Sequence, residues 1–291
     1  MIDIATGTDE LLCEIRDRVA TVTLNKPHKK NALGDVLTPA LRRTVALLEQ
    51  DDRVGCVLIT GAGDAFCAGG DVSAMGSRSP SGTQPVQTPQ DRVADLVHKQ
   101  VTLTLRIHEL SKITIAALPG AAAGAGLSIA LACDLRLASS NAFVTTAFKN
   151  IGLSGDYGSS WFLPRLVGLA KAKELFYTSE RVGADEGLRL GIFNKVYPEA
   201  VFRQQAFEYA REIAHGPTGA LARMKTNLNQ GVGQSLRESL VLEAEQLILS
   251  SGSGEAKEAI AAFMEKRPPI FHAPDPVEGA LKGAVNDTDR P

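Results

Sequence analysis

Hydrophobic and polar positions follow two rhythms along this chain, and the rhythm changes once, near Glu199. From Val19 to Leu24, Ala20, Val22 and Leu24 share one face and threonines the other, the period of a half-buried strand. A polar loop, Asn25 to Asn31, follows. Then Leu37, Leu41, Val45 and Leu48 recur at helical spacing, with Asp35 as the expected N-cap. Val54 to Thr60 is an apolar run closed by Gly61 and Gly63, which predicts a strand buried on both faces. Ile113 to Leu118 and Leu135 to Ala138 are further buried strands. Strands alternating with helices predict an α/β layered core.

Beyond Glu199 only helical periods remain, over 201–214, 219–229, 236–250 and 255–265. The expected organisation is a core over residues 1–200, a helical region over 201–271 and a loosely held tail over 272–291. Gly76 to Gln90 holds three prolines and almost no apolar side chains, which predicts a mobile surface loop, either a lid or a tolerated insertion.

Composition narrows the function classes. With 291 residues, 44% of them hydrophobic, the chain can bury a full core. A net charge of -2 offers no general attraction to nucleic acid or to an anionic membrane. The first residues lack a basic stretch followed by an apolar one, and no run of about 18 apolar residues occurs. No leader and no spanning helix are therefore expected, and a cytoplasmic location is. Cys13, Cys56, Cys67 and Cys133 are scattered and read as buried thiols of a reducing compartment. The histidines never pair at helical spacing, so no metal is expected.

Two glycine-rich clusters carry the candidate chemistry. Ala65-Phe66-Cys67-Ala68-Gly69-Gly70-Asp71 follows a buried strand, and Gly120 to Ser128 (GAAAGAGLS) opens an apolar, helix-like run. Small residues at both places let backbone approach a ligand closely, and the second cluster aims a helix N-terminus at it. GAAAGAG does not spell the dinucleotide fingerprint G-x-G-x-x-G. Tight helix–strand packing alone accounts for one such cluster better than for two.

These clusters, with Asn25-Lys-Pro, Asn31-Ala-Leu33, Leu131-Ala-Cys-Asp134, Gly152-Leu153, Leu163-Pro-Arg-Leu-Val-Gly168 and Ala262-Phe-Met-Glu-Lys-Arg267, occur in the order and spacing of the enoyl-CoA hydratase/isomerase (crotonase) family. The resemblance spans roughly residues 10–271. It implies a spiral of ββα units with a C-terminal helical region, assembled as a homotrimer or homohexamer. It implies an acyl-CoA substrate, coenzyme A being part of the substrate rather than a separate cofactor. By the family match, the amides of Gly70 and Ala125 form an oxyanion hole for the thioester. Such donors are worth about 3–4 kcal/mol each when charge develops on the oxygen. Backbone around Ala65, Phe66 and Ala68 is matched to adenine binding. Lys26, Lys29 and Lys30 are candidates to meet CoA phosphates, a solvated loop being the alternative. Lys266 and Phe263 are candidates to reach a neighbour's CoA site.

Hydratases of this family use two glutamates, and here Ser128 and Phe148 occupy those positions. Neither performs glutamate's acid–base work. Asp156, in Gly155-Asp156-Tyr157-Gly158, stands where isomerases and 4-chlorobenzoyl-CoA dehalogenase of the family carry a working aspartate; an ordinary helix N-cap is the alternative. The dehalogenase's histidine position holds Val101, while His98 and His108 are unplaced. Trp161 and Phe162 read as acyl-pocket lining or core. The expectation is an acyl-CoA double-bond isomerase working through Asp156. The rivals are a hydratase acting without the usual glutamates and a weakly catalytic CoA-ester-binding protein.

Overall fold

The computed structural model describes residues 1–71 and 88–272. The chain divides into two compact units, Met1–Ile213 and Ala214–Pro291. In chain order the strands are β1 (Ile2–Asp3), β2 (Leu11–Arg16), β3 (Val19–Leu24), β4 (Cys56–Gly61), β5 (Ala65–Cys67) and β6 (Ile113–Leu118). They continue with β7 (Ala121–Ala123), β8 (Leu135–Ser139), β9 (Phe143–Thr145), β10 (Val182–Gly183) and β11 (Lys195–Tyr197).

One sheet has the order β1-β2-β3-β4-β6-β8-β11, antiparallel up to β3 and parallel from there on. The other has the order β10-β9-β7-β5, its last three strands parallel. Strands β4, β6 and β8 each hand the chain to β5, β7 and β9 in the second sheet. A helix follows each pair among the described residues: Pro89–Gln100, Ala125–Ala132 and Ser159–Val167. This is the expected repeated ββα unit.

The sequence pattern explains why the first sheet lies where it does. Every residue of β4 is buried, as its unbroken apolar run requires, and five of the six in β6 are. Ala20, Val22 and Leu24 are wholly buried while Thr21 and Thr23 are only half-buried, the alternation read above. The stripe Leu37, Leu41, Val45 and Leu48 joins the same core cluster.

Two expectations are corrected. Asp35 does not cap the Leu37–Glu49 helix, whose N-cap position is Val36 with no side-chain cap bond. A side-chain cap would serve the second or third helical amide, but Thr38 already donates to the Gly34 carbonyl and Pro39 has no N–H. The loop read as running to Gln90 ends earlier. Thr88 and Asp91 form a reciprocal capping box, and Pro89 and Gln90 already belong to the Pro89–Gln100 helix. Residues 76–87 of that loop lie outside the described residues. The helix runs on through a π-helical stretch, Val101–Leu105, into Arg106–Glu109. The tail expected over 272–291 also lies outside, apart from His272.

The second unit contains the helices Thr218–Gly231, Leu236–Ser251 and Gly254–Glu265. Glu255 accepts hydrogen bonds from the amides of Gly219 and Ala220 (2.9 and 3.0 Å) and so caps the first of them from outside. Arg267 binds Glu258 through both terminal nitrogens (2.6 and 3.1 Å), and this holds the Glu258 carboxyl down at about 2. Among the described residues no helix is long and apolar enough to cross a membrane.

Asn31 ties the first glycine cluster to the strand before it. Its wholly buried amide donates to the carbonyls of Ala62 and Ala65 (2.9 and 2.8 Å) and accepts from the Lys26 amide (2.8 Å). Asn31→Ala would leave at least one buried carbonyl unsatisfied. Urea unfolding is expected to show a loss of about 1–3 kcal/mol.

Candidate active site

Gly70 and Ala125 reach the site by different routes. Gly70 pairs with Leu33 in an isolated parallel bridge, in which Leu33 donates to the Gly69 carbonyl and accepts from the Asp71 amide (2.7 and 2.8 Å). In that geometry the amide of the residue between, Gly70, points away from Leu33. Ala125 is the first residue of the Ala125–Ala132 helix, where an amide has no partner within the helix. The two segments touch: a methyl group built on Gly69 would sit 2.9 Å from the Ala123 carbonyl oxygen and 3.5 Å from the Ala125 nitrogen. Gly69 (φ +93°) and Gly124 (φ +51°) both take left-handed backbone at this approach.

Asp156 does not act as an N-cap. The Ser159–Val167 helix has Gly158 at that position and no side-chain cap bond. Asp156 instead sits in a turn where Gly155, Tyr157 and Gly158 all have positive φ (107°, 53° and 88°). One carboxylate oxygen, Oδ1, is buried with no hydrogen-bond partner among the described residues. Burial pushes the Asp156 carboxyl above the usual carboxylate range, because a charge there loses its hydration. Burial, with the Asp156 charge beside it, also pushes the Tyr157 phenol up to about 12.

The two residues in place of glutamates pack around this turn. Ser128 is wholly buried, and its hydroxyl lies within hydrogen-bond distance of the Asp156 carbonyl (2.9 Å) and of the Gly124 carbonyl (3.2 Å). The Phe148 ring stacks on Phe176 with centroids 6.2 Å apart. It lies 3.5 Å from a methyl built on Gly155 and 3.6 Å from one built on Gly124. An aromatic wall thus separates the glycine before Ala125 from the glycine before Asp156. That wall is apolar, in keeping with the raised carboxyl.

The remaining expected residues lie apart from one another in character. Lys29 pairs with Asp71 at 2.8 Å, and Lys26 lies 3.3 Å from Glu10 and 3.8 Å from Asp71. Lys30 has left-handed backbone, and its carbonyl accepts from the Ala68 amide (2.9 Å). Ala65 and Phe66 are buried strand residues, whereas Ala68 is exposed. Lys266, in the second unit, ends the Gly254–Glu265 helix in left-handed backbone and is exposed, as is Phe263.

Several motif residues prove to be structural. The Asp134 carboxylate accepts from the Thr114 amide and hydroxyl (2.7 and 2.8 Å), joining the end of one helix to the start of β6. His108 packs edge-on against Trp161 and Phe162 (5.3 and 5.4 Å). Phe162 rests on the core, while Trp161 lies at the surface under the Arg165 guanidinium. Val101 opens the π-helical stretch and His98 is exposed. All four cysteines are buried, as expected, and burial pushes the Cys67 thiol up to about 12. Gln100 had no motif to mark it, yet its side-chain carbonyl accepts from the Tyr157 amide at 2.9 Å.

Residues 14–274 match the family model described as enoyl-CoA hydratase/isomerase. A 4-chlorobenzoyl coenzyme A dehalogenase from Arthrobacter sp. is 34% identical over 256 residues, covering 87% of this chain and 90% of that protein. The 1,2-epoxyphenylacetyl-CoA isomerase of Escherichia coli (strain K12) is 32% identical over 261 residues, covering 90% and 97%. The crystal structure of an enoyl-CoA hydratase from Polaromonas sp. JS666 superposes with a TM-score of 0.83 at 31% identity, covering 90% of this chain and 99% of that one. The chain belongs to the enoyl-CoA hydratase/isomerase family, and its fold is that family's. It is an enzyme of that family, whose members named here span hydratase, isomerase and dehalogenase chemistry.

The raised Asp156 carboxyl has a consequence for stability. In the unfolded chain Asp156 ionises in the ordinary range, so between that range and the raised native value the native state holds the extra proton. Stability is therefore lost as pH climbs through that window and stays lower above it. Asp156→Asn is expected to raise the melting temperature at neutral pH, with the gain vanishing at pH below the ordinary carboxylate range. A scan of melting temperature against pH for both proteins checks this.

Proposed function

We propose that this enzyme moves a double bond along an unsaturated acyl-CoA, with Asp156 as the proton carrier. The observation that carries the reading is the half-buried Asp156 carboxylate with its unpartnered Oδ1, set in a turn that no capping role explains. A carboxyl raised toward the working pH can both take and return a proton, which is what an isomerase asks of one group.

In this reading a 3-enoyl-CoA loses an α-proton to Asp156. The C–H electron pair delocalises through the carbonyl and the alkene as a dienolate, whose oxygen the Gly70 and Ala125 amides hold. Asp156 then returns the proton to the γ-carbon, and the double bond lies between the α- and β-carbons. No proton is gained or lost overall. Coenzyme A is the handle of the substrate: backbone at Ala65, Phe66 and Ala68 takes the adenine, and Lys26, Lys29 and Lys30 are the cations offered to its phosphates. The Lys26 and Lys29 ammonium groups are already paired with carboxylates, so phosphate would have to compete with Asp71.

The hydratase rival is disfavoured because Ser128 and Phe148 cannot activate water as two glutamates do. A nucleophilic, dehalogenase-like Asp156 is disfavoured because Val101 supplies no base for the hydrolytic step. Incubating the protein with trans-3-hexenoyl-CoA in D2O is expected to give 2-hexenoyl-CoA, resolved from the substrate by chromatography. Deuterium is expected at the γ-carbon only to the extent that the proton on Asp156 exchanges with solvent before its return, read by mass spectrometry. Asp156→Asn is expected to lower the rate by roughly 10²–10⁴-fold, with affinity for the acyl-CoA changed less than about threefold. That factor corresponds to under about 1 kcal/mol. Undiminished turnover in the variant would sink the assignment.

The homo-oligomer is part of the same proposal. Leu228, Leu236, Leu247, Ile248 and Phe263 of the second unit are large apolar side chains exposed in the single chain. Sedimentation velocity is expected to give a trimer or hexamer, and a monomer at micromolar concentration would overturn that.

A further inference from the structure

The peptide between Asp156 and Tyr157 is held from both sides by side chains from two other elements. Its carbonyl oxygen accepts the Ser128 hydroxyl at 2.9 Å, from the first turn of the Ala125–Ala132 helix. Its N–H donates to the Gln100 side-chain carbonyl at 2.9 Å, from the last residue of the Pro89–Gln100 helix. A peptide unit has one donor and one acceptor, so these two bonds fix the plane and leave it little freedom to rotate. The fixing matters at this place. Gly155 and Gly158 flank the pair in left-handed backbone, and Tyr157 itself has φ +53°, a region that a bulky side chain disfavours. A turn of this kind persists only where its surroundings over-determine it.

The two clamping residues are not interchangeable with ordinary packing. Ser128 is wholly buried and its hydroxyl reaches two carbonyls, those of Asp156 and Gly124, so one side chain touches the turn carrying Asp156 and the residue preceding the Ala125 amide. Gln100 stands where the winding changes from α-helical to π-helical, and local changes of this kind are frequent at functional sites.

We infer that Ser128 and Gln100 are positioning residues, which clamp the Asp156–Tyr157 peptide so that the Asp156 carboxylate stays aligned with the oxyanion amides. The serine in place of a glutamate then has a role of its own: it exchanges a group that would act on water for one that orients the remaining acid. This inference rests on the proposed proton transfer by Asp156.

The test compares Gln100→Leu, Gln100→Glu, Ser128→Ala and Asp156→Asn in the full-length protein with trans-3-hexenoyl-CoA. Gln100→Leu removes the acceptor and Gln100→Glu retains one. Gln100→Leu and Ser128→Ala are expected to lower kcat by about 10–100-fold, the scale of a small misplacement of a reacting group, with KM changed less than about twofold. The acid limb of the kcat/KM profile is expected to move in both, and Gln100→Glu to restore most of kcat. A kcat equal to wild type in Gln100→Leu, or a loss that falls on KM alone with the acid limb unmoved, overturns the clamp. Gln100 is half-buried, so its pair of variants decides the matter even if Ser128→Ala fails to fold. Asp156→Asn separates the two ideas. If that variant keeps its turnover, the proton-transfer reading fails whatever the clamp variants do. If it loses turnover while Gln100→Leu does not, only the clamp fails.

Discussion

A methyl group built on Gly126 would lie 2.3 Å from the Cys67 carbonyl oxygen and 2.7 Å from the Cys67 Cβ. No real side chain survives such an approach to fixed backbone, so the helix Ala125–Ala132 can rest on the end of β5 only through glycine. That contact joins one ββα unit to the next. It also brings the segment after β5, which carries Gly70, beside the helix start that carries Ala125. The preceding glycines show the same constraint: a methyl on Gly61 would meet the Ala65 carbonyl at 2.0 Å, and one on Gly120 the Asp64 carbonyl at 1.9 Å. The neighbourhood of the Gly70 and Ala125 segments is thus a by-product of how closely these chains pass.

Around the approach the fold arranges polarity unevenly. Phe148 and Phe176 supply an apolar wall beside Gly155, and the next residue, Asp156, has a carboxylate oxygen out of reach of any donor among the described residues. A structure selected for stability alone would pair that oxygen or replace it. Holding a desolvated acid costs stability at neutral pH and gains a group whose proton can move. Lys26, Lys29, Asp71 and Glu10 form the opposite case, an ion-paired cluster at the outer end of the same glycine segment.

Much of the fold was legible beforehand because its signals are local. The all-buried run of β4, the alternation of β3 and the stripe of the Leu37–Glu49 helix each follow from side-chain period and burial within one element. The Asp35 cap was misread because cap choice depends on which amides are left to serve, and here Thr38 donates to the Gly34 carbonyl while Pro39 has no N–H. The helix at Pro89 was obscured by its polar, proline-containing start, which serves a capping box as well as a loop.

The chain's own residues decided that two glycine clusters stand in the family's order, that serine and phenylalanine occupy the places where the family's hydratases carry glutamates, and that one aspartate stands in the same region. These are facts of residue type and order, which backbone chemistry makes meaningful before any folding is known. Only the tertiary structure decided that Asp156 is no helix cap, that one of its oxygens is buried and unpaired, and that Gln100 and Ser128 grip the same peptide from elements 57 and 28 residues away. Desolvation and hydrogen bonding at Asp156 depend on atoms brought there by distant segments, and no local pattern in the sequence encodes their arrival.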